Sequence, residues 1–584
     1  MFFDVCNAQT NYYVSLTGDD NNSGLSETSA WRTITYAASS LSPVKAGDTI
    51  FIKAGNYGNE NIAFQTSGTV SSPIVYEGYQ TIPGDNPNLN YTFGDALDAS
   101  IMPLLDGGDR ASAGTAITLY SRQYITLKNL QITNYNVGID GWNASYCTVD
   151  NIIETTFGDY NSSYDGKCIS FSPNGNGSGG EGNTIKNCTV SNASAEGISI
   201  TGNNNTIENS KVYCNENYND AASMDYYIVV SGNNNVVNNC YIERIGNLDH
   251  GGHGISLKEN CENNLIVNCT SKGMEISGYQ LRHRSVKNNT IENCLAINCG
   301  FSVRDGASHN TIKNCKSINS MYGAVTFSDS EEDGGAQYTG RHNIFENCIF
   351  EKTQGNVIDF FYWSLPSVCD SNTFVNCVFD GGDYLFNCDR ENNNNKMVNC
   401  IVSNVQNYYR TQQNQDVSYP INFSFEYTDF WNNGFSMVPG TANIAGDPLF
   451  VDPANGDFHL QTGSPCIDEG TSVGAPQVDF EGTSRPQGNG FDIGAYEYST
   501  ISEITEHTSE TFSVFPNPTT GKVYFSNQFL NNKFKILSPL GIVVKKGIIE
   551  TQEIDLSEIN SGMYVIIVEG SKSGTTNVAK LIKK

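Results

Sequence analysis

Positive charge is scarce in this sequence: 33 Lys and Arg stand against 62 Asp and Glu, a formal net charge of −29 over 584 residues. A chain that neutralises nucleic-acid phosphates needs the opposite balance, so nucleic acid is excluded as a partner. Charged residues of either sign make up only 16% of the chain, while Gly, Asn, Ser and Thr abound. Long helices draw on Ala, Leu, Glu and Lys, so this shortage argues for strands and turns. No apolar run approaches the roughly 18 residues that cross a bilayer as a helix, and no membrane span is expected. The opening MFFDVCNAQ lacks the basic start and apolar middle of a signal peptide, yet ends in the small-residue stretch Cys6-Asn7-Ala8. It reads as the remnant of such a peptide over residues 1–11, left by a truncated gene start.

Cysteine is not scarce. Seventeen of them in an exported chain would ordinarily mean disulfides, but their spacing points elsewhere. From about residue 127 the chain rewrites one phrase: TLKNL, TVDNI, TIKNC, TIENS, VVNNC, LIVNC and onward to KMVNC. The residue after the Asn falls at Leu130, Ile152, Cys188, Ser210, Cys240, Cys269, Cys294, Cys315, Cys348, Cys377 and Cys400. The shortest intervals are 21 to 23 residues, with longer exceptions. That is one turn of a parallel β-helix with insertions confined to one loop per turn. Stacked coils put like residues in columns about 4.8 Å apart. The Asn column from Asn129 to Asn399 is expected to form an amide ladder at a tight turn, where Asn tolerates positive φ. The Cys column reads as small, buried, unpaired thiols.

The expected fold class is all-β: a right-handed parallel β-helix with an N-terminal helical cap, then a small antiparallel β-sandwich. Residues 12–60 resemble the opening of secreted right-handed β-helix proteins, with a helix from Thr33 to Leu41 capping the core and a strand over Asp48–Lys53 starting the stack. The β-helix domain runs over 12–498. Within it, residues 440–498 resemble the closing module of bacterial β-helix proteins. Its Asp447, Asp452, Asp457, Asp468 and Asp492 are expected as turn formers, with calcium the other possibility. A polar linker over 499–510 leads to 511–584, where apolar and polar residues alternate between turns. FPNP, the GMYV segment and the Lys-x-x-Lys end resemble the C-terminal sorting domain of the type IX secretion system. That implies export, or display on the cell surface, through the type IX machinery.

One stretch holds unusual chemistry. Five of the seven histidines, His250, His253, His283, His309 and His342, lie between 250 and 342. Residues 251–350 carry nine Lys and Arg against ten acids, close to neutral in an acidic chain. Reading the strands GISIT, YIVVS, GISLK, YQLR, FSVR and AVTFS in register gives an inward column Ile200, Val230, Leu257, Leu281, Val303 and Phe327. The outward column is Thr201, Ser231, Lys258, Arg282, Arg304 and Ser328. Three cations on consecutive rungs repel one another, which a sheet built for stability alone avoids. They suit a polyanion groove, or they pair with Glu275, Asp305 or Glu331. Phe360 to Trp363 form an aromatic run, read either as a sugar-stacking platform or as a buried coil edge.

The segment ISLKENCENN followed by LRH resembles the I-S-x-K-S-C-x-N … L-R-H-G pattern of family six polysaccharide lyases, the chondroitinase B and alginate lyase group. The resemblance implies an anionic, uronate-containing polysaccharide as substrate and cleavage by β-elimination. It makes Lys258 the base that removes the C5 proton and Arg282 the group assisting the leaving oxygen, with His283 beside them. His250, His253, Arg284, Arg304, His309, Arg341, His342, Tyr362 and Trp363 are the expected substrate-binding residues. This chain departs from the pattern at Arg284, where the family has Gly, and at Gly251 and His253, where it has calcium-holding glutamates. Neighbouring arginines are expected to neutralise the developing charge instead, so no cofactor is required, although calcium remains possible. No metal ligands are assigned, since His250 and His253 lack a third partner of suitable spacing.

Two other readings stand beside this one. A glycoside hydrolase of a sulfated polysaccharide would use two carboxylates, with Glu275, Asp305, Asp329 and Glu331 as candidates. A non-catalytic carbohydrate-binding β-helix would need neither. The chain is expected to act as a monomer.

Overall fold

The computed structural model describes residues 9–87, 91–159, 166–216, 224–246, 252–329, 338–352, 354–361, 368–410 and 420–499, and beyond them 514, 519, 521–524, 529–538, 543–559, 562–569 and 576–583. Two compact units result, residues 1–498 and 499–584. The first is a parallel β-helix. Each regular coil crosses a 27-stranded sheet twice and a 13-stranded sheet once. In one such coil His253–Lys258 lies in the 13-stranded sheet, and Leu265–Val267 and Thr270–Lys272 lie in the 27-stranded sheet. Asn268, at φ 56°, makes the bend between the latter two. A third, four-stranded sheet forms one corner over the coils from Ala307 to Asn393.

The repeated phrase builds this directly. In N-[TV]-I-x-N-C the Ile points inward, and Ile185, Ile207, Ile266, Ile291 and Ile312 are each at most 1% exposed. Burying one such side chain stabilises by about 1.5–3 kcal/mol. The second Asn takes positive φ at every coil from Asn129 to Asn399, as expected. Its side chains do not form a continuous ladder, however: Asn151 bonds Asn129 at 2.7 Å, whereas Asn187 bonds Asp150 instead. The continuous ladder belongs to the first Asn. Asn183, Asn205, Asn235, Asn264, Asn289, Asn310, Asn343, Asn372 and Asn395 are joined amide to amide by bonds of 2.9–3.1 Å. All nine are buried. The sixteen cysteines among the described residues are buried and none is in a disulfide, as the stacking argument expects.

The helical cap needs correction. Helix forms only over Ile34–Ala38, with the Thr33 hydroxyl accepting from the Tyr36 N–H at 3.1 Å. These five residues bury only Ile34, Ala37 and Ala38, too little for a helical cap. Residues 444–498 pack on the flank of the 27-stranded sheet, where Phe458, Leu460, Ile493 and Tyr496 cover Ile349, Val378 and Ile401. The second Asn of the late coils ties this segment down: Asn376 donates to the carbonyls of Asp492 and Gly494, and Asn399 to that of Thr471. Of the five module aspartates, Asp447, Asp452 and Asp457 bond within their own turns, whereas Asp468 and Asp492 link distant parts of the segment. Asp468 accepts from the Gly490 N–H, Asp492 from the Asp468 N–H, and Asp447 and Asp457 each from the N–H two residues on. Asp452 accepts from the Asn455 amide.

The second unit is a small antiparallel sandwich. Its four-stranded sheet orders Val543–Ile548, Lys533–Leu537, Gly562–Glu569 and Thr576–Lys583, and faces a two-stranded ribbon of Lys522–Tyr524 and Glu553–Asp555. Val523, Ile536, Leu556, Ile566 and Leu581 fill the space between them.

Candidate active site

The outward face of the 13-stranded sheet carries the polar side chains. Lys258 pairs in register with Arg282, Arg282 with Arg304, and Arg304 with Ser328. Leu257, Leu281, Val303 and Phe327, one residue earlier, are buried in the core. The cation column therefore stands as the alternation requires. Its exposure differs along its length: Lys258 is half-buried, whereas the Arg282 and Arg304 side chains are 6% and 14% exposed.

Asp305 explains how two guanidinium groups can lie side by side. It occupies the turn after Arg304 at φ 54° and is fully buried. Its Oδ2 lies 3.2 Å from Arg282 Nε and 3.3 Å from Arg304 Nε. A carboxylate so placed neutralises one of the two cations and fixes both forks. It is a positioning group for the arginines rather than a free acid.

Tyr226 is the residue that strand alternation alone misses. Tyr227 and Ile228 both point into the core, and this doubling turns Tyr226 outward. Its hydroxyl accepts from Arg282 Nη1 at 2.8 Å, and its ring centroid lies 5.0 Å from Lys258 Nζ. The ring stacks on His253 at 5.3 Å. His253 Nδ1 is 2.9 Å from Ser277 Oγ and 3.0 Å from the Gln280 amide. Burial first, then the positive charges of Arg304, Arg282 and Lys258, hold the His253 pKa well below the usual histidine range. A neutral imidazole thus backs the Tyr226 ring. The assembly joins a half-buried lysine side chain, two carboxylate-fixed guanidinium groups and a phenol hydroxyl. It can bind a carboxylate and move protons beside it.

Other expected site residues lie elsewhere. His283 sits in the turn after Arg282 at φ 85°, buried, with Nε2 3.7 Å from Glu259 Oε1. Arg284 follows it and is exposed. The His309 and His342 rings meet at 4.9 Å, tilted by 32°, past the third sheet, in which Arg341 pairs with Ser308. That is a different corner of the coil, reached because Ala307–Ser308 turns the chain away, so these three do not join the column. Glu275 is half-buried in the turn leading to Ser277–Arg282. Asp329 is no free acid: Arg390 holds it with two bonds of 3.0 and 2.8 Å, and both side chains are buried. Phe360 is core, stacked on Phe327 at 5.6 Å, so it offers no sugar platform. His250, Glu331, Tyr362 and Trp363 lie outside the described residues.

A second polar cluster lies further along the same face. Asp359, in register with Thr326 and Asn387, accepts from the Asn387 amide at 2.8 Å. That amide nitrogen also reaches Asp389 at 2.9 Å. Burial raises the Asp359 pKa. No sequence motif marks these residues, which are three strands and a turn of ordinary repeat. Among the described residues no group of three His, Cys, Asp or Glu is arranged to hold a metal ion, and no helix is long and apolar enough to cross a membrane.

Comparison with known proteins agrees with the architecture. Residues 154–317 match the family model "Right handed beta helix region", and residues 513–584 match "Secretion system C-terminal sorting domain". A lacto-N-biosidase of Bifidobacterium longum subsp. longum is 28% identical over 143 residues, which is 23% of this chain and 9% of that protein. The chain thus spans under a tenth of the curated relative it matches. Among solved structures, a pectate lyase is similar with a TM-score of 0.36 and 14% identity, covering 84% of this chain and 97% of that one. A family six alginate lyase gives a TM-score of 0.42 and 13% identity, covering 82% and 58%. The chain therefore carries a right-handed β-helix region and a secretion-system C-terminal sorting domain, and is a protein delivered to the cell surface or beyond it.

Proposed function

We propose that this chain is an extracellular polysaccharide lyase that cleaves an anionic, uronate-containing polysaccharide by β-elimination. The observation that carries this is the Lys258–Tyr226–Arg282 contact set, with Arg282 and Arg304 fixed side by side on Asp305. The uronate carboxylate would lie on the two guanidinium groups. Lys258 Nζ takes the C5 proton; the electron pair forms the C4–C5 double bond; the C4–O bond breaks. The departing oxygen takes a proton from the Tyr226 hydroxyl, which Arg282 orients. Charge that develops on the carboxylate is met by cations already in place, which needs no reorganisation during the step.

The test is turnover of alginate, chondroitin, pectin, fucan and carrageenan, read by ultraviolet absorbance of the unsaturated end and by reducing ends. Both signals together are expected on a uronate polymer. Lys258→Met should lower turnover about 100- to 10,000-fold, the range of a lost general base. Its melting temperature should hold, because a half-exposed cation on a sheet contributes little to stability. Tyr226→Phe should also lose turnover while keeping the ring stack. If Lys258→Met retains more than a few per cent of turnover, the elimination mechanism fails.

One observation favours a second reading. Asp359 and Asp389 share the Asn387 amide nitrogen at 2.8 and 2.9 Å, which keeps two carboxyl groups close together on the outward face, and a pair of neighbouring carboxyl groups is what glycoside hydrolysis uses. Under that reading reducing ends appear without absorbance, and Asp359→Asn, not Lys258→Met, removes turnover.

A further inference from the structure

The outward column that carries Lys258 continues towards the N-terminus. Trp142 pairs in register with Ser172, and Thr201 with Ser231. The pairing of Phe171 with Ile200 and of Val230 with Leu257 carries the same column from Ser172 to Thr201 and from Ser231 to Lys258. One rung before Trp142, Thr118 pairs with Asp140, which places Tyr120 over Trp142. Their rings meet edge to face at 5.7 Å. The column therefore runs Tyr120, Trp142, Ser172, Thr201, Ser231, Lys258, Arg282, Arg304: two aromatics, three hydroxyls, three cations.

Both aromatics are exposed where a scaffold would hide them. Trp142 is 42% exposed and Tyr120 48%, on the outside of a sheet whose apolar residues otherwise face the core. The Tyr120 hydroxyl donates to Asp140 at 2.8 Å, which holds the ring on the sheet surface, and Arg122 Nε bonds the Tyr120 carbonyl at 3.0 Å. The neighbouring Tyr124 and Tyr146 differ: they stack on each other at 5.1 Å and 8°, so each uses a face of the other. A flat, exposed indole bordered by hydroxyls offers apolar contact to the C–H face of a sugar ring and hydrogen bonds to its edges.

We infer that Tyr120 and Trp142 form a distal sugar-binding platform for the same polysaccharide chain whose reacting unit lies at Lys258. The inference rests on the reading that the cation column binds polysaccharide, by elimination or by hydrolysis. Four rungs separate Trp142 from Lys258, or about 19 Å at the usual strand spacing. A pyranose unit advances an extended chain by about one rung, so the platform holds a sugar about four units from the cleavage point. The occupant is an anionic chain: its apolar sugar faces suit the aromatics, and its carboxylates suit the cations further along. A preference for long chains follows, since short oligomers cannot reach both ends of the track.

Two arms test this separately from the chemistry. In native gels containing alginate, pectate or chondroitin, the full chain should be retarded by one of the three, and Trp142→Ala should lose most of that retardation while Trp142→Phe keeps it. Equal retardation of wild type and Trp142→Ala, or none in any gel, overturns the platform whatever the protein cleaves. On the polymer that is cleaved, the loss of kcat/KM in Trp142→Ala should exceed its loss on tetramers of the same sugar by about tenfold, the worth of one good aromatic contact. Equal losses on both lengths would overturn the distal placement. Failure of the proposed reaction shows instead as no cleavage with retardation intact.

Discussion

Glu154 occupies a place that its neighbours give to hydrocarbon. In register it pairs with Ile132 on one side and Val190 on the other, and it is wholly buried. Neither carboxyl oxygen has a hydrogen-bond partner. A Cβ at Gly138 would lie 2.4 Å from Glu154 Oε2, so the glycine leaves the room that the carboxyl fills. Burial alone raises the Glu154 pKa well above the usual carboxylate range, and the group is a neutral acid in the fold. A folded pKa above the unfolded one gives stability that is complete below the unfolded value and lost as pH rises towards the folded one. Glu154→Gln keeps the shape and removes the titration. Thermal melts should show the variant gaining about 2 °C at pH 8 and almost nothing at pH 4; equal shifts at both pH values would mean the carboxyl is not protonated. At this scale period-two alternation made the cation column legible in the sequence. It failed for Tyr226, because two successive inward residues reset the phase, and for Asp359 and Asp389, because nothing local distinguishes an outward aspartate from a turn former.

The repeating element of this fold is a corner, and its two asparagines divide the work. Asn264 donates to the Gly232 carbonyl at 2.9 Å and to Asn289 Oδ1 at 2.9 Å, and accepts from the Asn235 N–H and amide at 2.8 and 3.0 Å. Four bonds thus close around one buried amide. Asn268, four residues on, bends the strand at φ 56° and sends its amide to Asn238 Oδ1 at 3.2 Å. Removing the first strands several buried polar groups, at about 1–3 kcal/mol each. Replacing the second by Gly keeps the backbone geometry and costs about 1 kcal/mol or less. Denaturant melts should therefore show Asn264→Ala far less stable than wild type and Asn268→Gly only slightly so. The reverse order would remove the ladder from its place as the main polar support of the stack. In the sequence only the second asparagine stands out as the ladder, because spacing fixes only the period. Which of them turns inward depends on the corner angle, and the period does not encode that. The N-terminal helix shows the same limit. Thr33 announced its start, but its length was set by how little core it had to cover.

For the whole molecule, the buried acids and His459 act in one direction, whereas His253, held below the usual histidine range, and Lys352, lowered by burial to about 8, act in the other. Burial pushes Asp429, which accepts from Cys466 Sγ at 3.5 Å, up to about 6, and burial does the same to Asp492. The hydrogen bond to Glu481, opposed by burial and aided by Asp457, raises His459 to about 9, with its ring stacked 3.8 Å from that of Tyr496. Each is raised, so each gives stability that is full below its unfolded value and lost upward. For Asp429 and Asp492 the window runs from 3.8 to about 6; for His459 it runs from 6.5 to about 9. On the acid side, hydrogen bonds from Asn21, Ser100 and Ala111 lower Asp19, Asp98 and Asp109, so their contribution disappears as pH falls below 3.8. A net charge of −29 at pH 7 adds self-repulsion that also grows as pH rises. His253 gives stability that is full above 6.5 and Lys352 opposes the trend only above about 8, so the melting temperature should decline from pH 6.5 to pH 8. Added salt should flatten the part due to repulsion, since exposed charges are screened within about 8–10 Å, but not the part due to buried groups. His459→Gln should make the fall between pH 6.5 and 8 shallower and leave the part due to self-repulsion in place. A melting temperature that stays constant from pH 6.5 to 8, or that rises, would show that His459 does not titrate with folding. An exported protein faces whatever pH its surroundings impose, and His459 places part of the loss above pH 6.5 in the closing segment that covers the flank of the 27-stranded sheet.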